Sequence, residues 1–144
     1  FFASPGLRLG YAVTGNADLL KYINTHKNPW TINSLAAIAG ELMFSDTDYI
    51  KKTRSLIDTE RTRIYKELQS WDGVKVYEPA ANFILARILK PGVTADDLFE
   101  HAIKKGLMIR NCSTFPFLDN TYFRFCFMSP EKNTELLACL KELL

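Results

Sequence analysis

From Leu7 to Thr14 the chain alternates. Leu7, Leu9, Tyr11 and Val13 fall on one side of an extended segment and Arg8, Gly10, Ala12 and Thr14 on the other, which predicts a strand. Arg8 would then stand beside small neighbours, where a ligand has room. Asn16 or Asp18 can cap a short helix to about Ile23, Asn28-Pro29 interrupts it, and Thr31 starts a second helix to about Phe44. Ser45-Asp46 opens the longest helix, to about Trp71. In it Tyr49, Thr53, Leu56, Ile57, Ile64, Leu68 and Trp71 can line one stripe, and Asp72-Gly73 is the stop signal.

After Gly73 the rhythm changes. Val74 to Tyr77 and Asn82 to Leu89 read as strands separated by a turn at Pro79, and Lys90-Pro91-Gly92 precedes a helix capped by Thr94 with Asp96 and Asp97 in its first turn. Leu107 to Arg110 and Tyr122 to Met128 read as strands around an irregular loop, and Pro130 or Glu131 starts a closing helix to Leu144. Strand, strand, helix, strand, strand, helix predicts an α+β sandwich, a small and mostly antiparallel sheet with helices on one face.

With 144 residues and 47% apolar content there is material for one compact core, or for a small domain plus a piece of a neighbour. The net charge is +2 and no stretch gathers the basic residues, so neither a nucleic-acid stripe nor a polybasic membrane anchor is expected. No apolar run reaches the roughly 18 residues of a spanning helix. Cys112, Cys126 and Cys139 form no CxxC pair and the chain has 2 His, which predicts reduced structural thiols, no metal centre and a cytoplasmic setting. Phe1-Phe2-Ala3-Ser4-Pro5-Gly6 opens the chain as a loop without an initiating Met, so an upstream segment is expected.

Arg8, Arg110 and Arg124 each sit inside an otherwise apolar strand pattern. A guanidinium stays charged and costs several kcal/mol to bury unless it is paired, so each needs an anion nearby. In Tyr122-Phe123-Arg124-Phe125-Cys126-Phe127 the phenylalanines share one face and Arg124 projects from the other with Tyr122 and Cys126. The partner could be an internal Asp or Glu, or the side chains could reach water at strand ends. If the arginines are functional, their forked donors suit carboxylate and phosphate groups of an anionic small molecule. Cys112 could be a nucleophile, but neither His26 nor His101 is placed as its base, and an inert thiol is the simpler reading. His101 reads as solvent-facing, Gly6-x-x-x-Gly10 is no phosphate loop because it does not open a helix, and Phe115-Pro116-Phe117 reads as loop packing.

Gly6-Leu7-Arg8-Leu9-Gly10-Tyr11 resembles the Gly-x-Arg-x-Gly-Tyr segment that follows the Schiff-base lysine in the class I and II aminotransferase superfamily. Asn28-Pro29-Trp30-Thr31-Ile32-Asn33-Ser34-Leu35-Ala36 and Ala81-Asn82-Phe83-Ile84-Leu85 resemble segments of the threonine-phosphate decarboxylases and histidinol-phosphate aminotransferases. Gly106-Leu107-Met108-Ile109-Arg110-Asn111-Cys112, followed by Phe115, Leu118 and Tyr122-Phe123-Arg124, is more similar to the decarboxylase branch.

The resemblance covers essentially the whole chain. It implies an α/β pyridoxal-phosphate-dependent transferase of fold type I, of which this chain is mainly the α+β C-terminal small domain. Residues 1–45 would end the large cofactor-binding domain, and 46–144 would form the long interdomain helix and the small domain. It further implies pyridoxal 5'-phosphate as cofactor, with the lysine immediately before Phe1 and Arg8 on the cofactor phosphate. Arg110, Arg124 and Asn82 would be at the substrate, and Tyr11 would pack behind Arg8.

The implied protein is a homodimer acting on an anionic amino acid. Its reaction would be decarboxylation of L-threonine O-3-phosphate for cobalamin biosynthesis or, alternatively, transamination of histidinol phosphate or another amino acid. The 144 residues by themselves would be inactive. A non-enzymatic binding module is a third reading, against which the Gly-x-Arg-x-Gly-Tyr segment speaks.

Overall fold

The computed structural model describes Phe2 and residues 4–144. Phe1, Ala3 and the lysine expected before them lie outside the described residues. The chain divides into two compact units, Phe1–Lys51 and Lys52–Leu144.

In the first unit two asparagines start helices. Asn16 accepts a hydrogen bond from the backbone N–H of Leu19 at 3.0 Å and opens α1, Ala17–His26. Asn33 accepts one from Ala36 at 2.8 Å and opens α2, Ser34–Ser45. The strand expected from Leu7 to Thr14 does not form. Pro5–Leu7 is a turn of 3-10 helix, Arg8 follows in the left-handed region at φ 58°, and residues 9–14 have no regular structure. Alternation makes a strand only where a neighbouring strand takes up its backbone groups. No strand lies among the described residues of this unit. Leu9 packs instead onto Gly40, where a Cβ would stand 2.6 Å from the leucine Cδ2. Tyr11 is exposed and meets the edge of Phe44 at 6.2 Å, so the expected packing behind Arg8 is not what the ring does.

The second unit is built on a four-stranded antiparallel sheet of β1 (Val74–Val76), β2 (Phe83–Ile88), β3 (Arg110–Asn111) and β4 (Tyr122–Cys126) in the order β1-β2-β4-β3. Its buried face carries Val74, Ile84, Ala86, Ile88, Phe123 and Phe125. Against it pack Ile64 and Leu68 of α3 (Thr47–Gln69), Leu98 and Ala102 of α4 (Ala95–Lys104), and Leu136, Leu137 and Leu140 of α5 (Pro130–Lys141). Thr94 and Asp97 form the capping box that starts α4, and Ser129 caps α5 before Pro130. Burying one helical stripe from each of these three helices places all three on one face of the sheet, as the sandwich pattern predicts.

One charged residue breaks the stripe of α3. Glu60 is 2% exposed, and both its oxygens are taken: Arg63 donates to them at 3.0 and 2.6 Å, and Asn133 of α5 donates at 2.7 Å. Asn133 also donates to the carbonyl of Met128 and accepts from its N–H, both at 2.9 Å. The network ties α3 to the turn before α5 and satisfies every polar atom that it buries.

Candidate anion-binding site

The face of the sheet opposite these helices holds the arginines. Antiparallel register sets Leu85 of β2, Arg124 of β4 and Arg110 of β3 directly opposite one another in one row. The neighbouring row carries Lys75, Arg87 and Tyr122. Arg124 is flanked in β4 by the buried Phe123 and Phe125, so it projects away from the core, as the alternation predicts. Directly opposed like charges destabilise a strand pair, and here two guanidinium groups occupy such a position. Among the described residues neither Arg110 nor Arg124 forms an ion pair with an Asp or Glu. The internal salt bridge left open by the sequence is therefore absent among them.

Aromatic rings take the place of carboxylates. The Arg124 guanidinium lies over Phe83 and over Phe115, 5.1 Å from each ring centre, and Arg110 lies over the same Phe115 ring at 5.9 Å. Phe115 was expected to be loop packing; its ring instead covers both arginines. In the next row Arg87 lies over Tyr122 at 5.4 Å and donates to the Thr121 hydroxyl at 3.3 Å, while Tyr122 stacks on Tyr77. These aromatic partners could not be read from sequence, since strand register brings Phe83, Arg110 and Arg124 together and the fold of the loop after β3 brings Phe115 to them.

The loop that carries Phe115 is pinned locally. Asn111 donates to Asp96 in the first turn of α4 at 2.6 Å and accepts from the backbone of Ser113 at 2.8 Å. Phe115 then donates its N–H to the carbonyl of Cys112 at 3.0 Å, closing a turn. Cys112 is buried, and its own N–H donates to the Tyr122 carbonyl at 2.9 Å. Burial raises the Cys112 thiol above the usual range, an effect that the charges of Arg124 and Arg110 only partly offset. A protonated, buried thiol is a poor nucleophile. His101 is not beside it: its Nε2 lies 2.8 Å from Glu142, which Lys105 also grips at 2.6 Å, so this histidine belongs to a surface clasp and is not simply solvent-facing.

Asn82 precedes β2, one residue before Phe83. Its carbonyl accepts from Phe127 at 3.0 Å, and its side chain is exposed. Arg8 belongs to the first unit. It is exposed, and its guanidinium donates to the carbonyl of Pro5 at 3.3 Å, the oxygen that its own backbone N–H reaches at 3.2 Å. Of the residues predicted for the site, then, the structure brings Arg110 and Arg124 together and places Asn82 at the start of the strand beside β4.

The family model described as aminotransferase class I and II matches residues 1–140. The chain is 33% identical over 144 residues to a threonine-phosphate decarboxylase from Salmonella typhimurium, covering 100% of this chain and 39% of that protein. It is 39% identical over 143 residues to a histidinol-phosphate aminotransferase from a Thermoanaerobacter species, covering 99% and 39%. The crystal structure of a histidinol-phosphate aminotransferase from Clostridium acetobutylicum superposes with a TM-score of 0.86 at 35% identity, over 99% of this chain and 42% of that one. The chain thus spans about two-fifths of the length of these relatives.

Proposed function

Because this chain belongs to the aminotransferase class I and II family, we propose that it is the C-terminal part of a pyridoxal-phosphate-dependent enzyme that decarboxylates L-threonine O-3-phosphate. The observation that carries the reading is the pair of arginines opposed across β3 and β4, neither of them ion-paired to an Asp or Glu among the described residues. L-Threonine O-3-phosphate bears a carboxylate and a phosphate, and a guanidinium fork binds either with paired, charge-assisted hydrogen bonds. Asn82, one residue ahead of Phe83, is assigned beside the same substrate.

Residues 1–45 are assigned to the end of the cofactor-binding domain, and 46–144 to the long helix and small domain. Arg8 fits the phosphate of the cofactor. Its guanidinium is exposed and has a single carbonyl partner, which leaves most of its donors available, and no carboxylate pairs with it among the described residues. When bound, pyridoxal phosphate supplies the electron sink that makes a bond at the substrate Cα breakable. The protein's part is orientation. Arg110 and Arg124 would hold the substrate carboxylate in one orientation, and that orientation would favour loss of carbon dioxide over loss of the Cα proton. The product would be the aminopropanol phosphate used in cobalamin assembly, and the enzyme would work as a homodimer.

Transamination of histidinol phosphate is the second reading, favoured by the 39% identity to an aminotransferase of that name. The two separate in one assay on the full-length enzyme with its cofactor. Rapid carbon dioxide release from L-threonine O-3-phosphate without an oxo acid is the expected result. Glutamate formation, dependent on histidinol phosphate and 2-oxoglutarate and without carbon dioxide release, would replace the decarboxylase with the aminotransferase.

A further inference from the structure

We propose that Phe115 is a positioning residue for the two arginines, an aromatic clamp that holds them in one binding geometry before any anion arrives. The inference rests on the reading of Arg110 and Arg124 as the substrate's anion site. Residues directly opposed in an antiparallel pair have Cα atoms about 5 Å apart, so two unpaired guanidinium groups there repel one another and would splay into solvent. Among the described residues no carboxylate offsets that repulsion. The negative face of an aromatic ring does so without consuming the forked donors, because a guanidinium attracted to a π-face keeps its N–H edge free. Phe115 serves both arginines at once, at 5.1 and 5.9 Å, and Phe83 meets Arg124 at 5.1 Å, so that Arg124 has a ring partner from the sheet and another from the loop.

A carboxylate in the same place would neutralise the charge but occupy the donors that the substrate needs. The clamp explains why a loop between β3 and β4 is tied down by the Asn111–Asp96 bond and the Cys112–Phe115 turn. Those ties fix the height of the Phe115 ring. Phe117, two residues on, stands fully in solvent and touches neither arginine, which makes it the control for a change of hydrophobicity in the same loop.

The test uses the full-length enzyme with its cofactor bound and follows inorganic phosphate by calorimetry together with steady-state kinetics on L-threonine O-3-phosphate. Phe115→Leu is expected to weaken phosphate binding about tenfold and to raise KM by more than it lowers kcat. Phe115→Trp, which retains a π-face, should restore both, and Phe117→Leu should change neither. Because Phe115 is partly exposed, its replacement opens no core cavity, and unchanged thermal melting will confirm that. If Phe115→Leu binds phosphate like the parent while Arg124→Ala does not bind it, the clamp is wrong and the arginine site stands. Equal impairment by Leu and Trp would reduce Phe115 to loop packing and also overturn the clamp. If Arg110→Ala and Arg124→Ala both leave phosphate binding unchanged, the anion site itself is wrong and the clamp falls with it.

Discussion

Arg8 shows how much a single residue can carry. Its φ of 58° is a conformation that costs a residue with a Cβ roughly 1 kcal/mol, and glycine would accept it without strain. A glycine there would also be more flexible when unfolded, so the two effects nearly cancel. Arg8→Gly should therefore leave the melting of the full-length protein little changed, within about 1 kcal/mol of the parent. Its affinity for pyridoxal phosphate, titrated by absorbance into the apoenzyme, should fall at least about tenfold through loss of a charged hydrogen-bond donor. Unchanged cofactor affinity would remove Arg8 from the phosphate. The residue was legible in the sequence as an arginine among small neighbours, but its strand was not real. Alternation in one segment says nothing about whether a partner strand exists, and the Pro5–Leu7 turn with Arg8 beyond it breaks the pleat.

Helices and strands were legible wherever their signals are local. Asn16, Thr94 and Pro130 mark helix starts because the side chain or ring that begins each helix acts on its own first turn. Phe123 and Phe125 declared the buried face of β4 by alternation alone. The register between strands depends on residues far apart in sequence, so the Arg110–Arg124 pairing and the rings above it had to come from the structure.

The buried Glu60 was illegible for the same reason. On a helix stripe a glutamate reads as solvated, and its partner Asn133 comes from α5. The Arg63 hydrogen bonds hold the Glu60 carboxyl below its usual range, ahead of the opposing effect of burial, with Asn133 adding to the lowering. A carboxyl with a lowered folded pKa contributes stability above its unfolded value of about 4.3, and that contribution disappears as pH falls through the folded value. Chemical denaturation between about pH 7 and about pH 3 should accordingly show a loss of stability that is smaller in Glu60→Gln. Asn133→Ala, which orphans two backbone groups of Met128 and one carboxylate bond, should cost about 2 to 4 kcal/mol at neutral pH. An identical pH slope in the parent and Glu60→Gln would show that folding does not favour the ionised form of Glu60.

At the scale of the molecule the two units differ in how they bury apolar surface. The second has its own core between one sheet face and three helices. Among the described residues of the first, only Ala36 and Gly40 are buried within helices, and Tyr11, Val13, Trp30, Leu35 and Leu42 are exposed. The family and fold were legible through resemblance, carried by the Gly-x-Arg-x-Gly-Tyr segment and the segment around Arg-Asn-Cys. The decarboxylase and the aminotransferase relatives each match nearly the whole of this chain.

In the proposed reading, Arg110 and Arg124 act on the substrate as one unit. That is tested most directly by a double-mutant cycle in the full-length enzyme, with kcat/KM measured for L-threonine O-3-phosphate in the parent, Arg110→Ala, Arg124→Ala and the double variant. Each single variant should lose about 100-fold, the worth of one charge-assisted pair of hydrogen bonds, and the double variant should lose well under the product of the two. Single variants within about twofold of the parent, or losses that simply multiply, would contradict a shared grip on the anion.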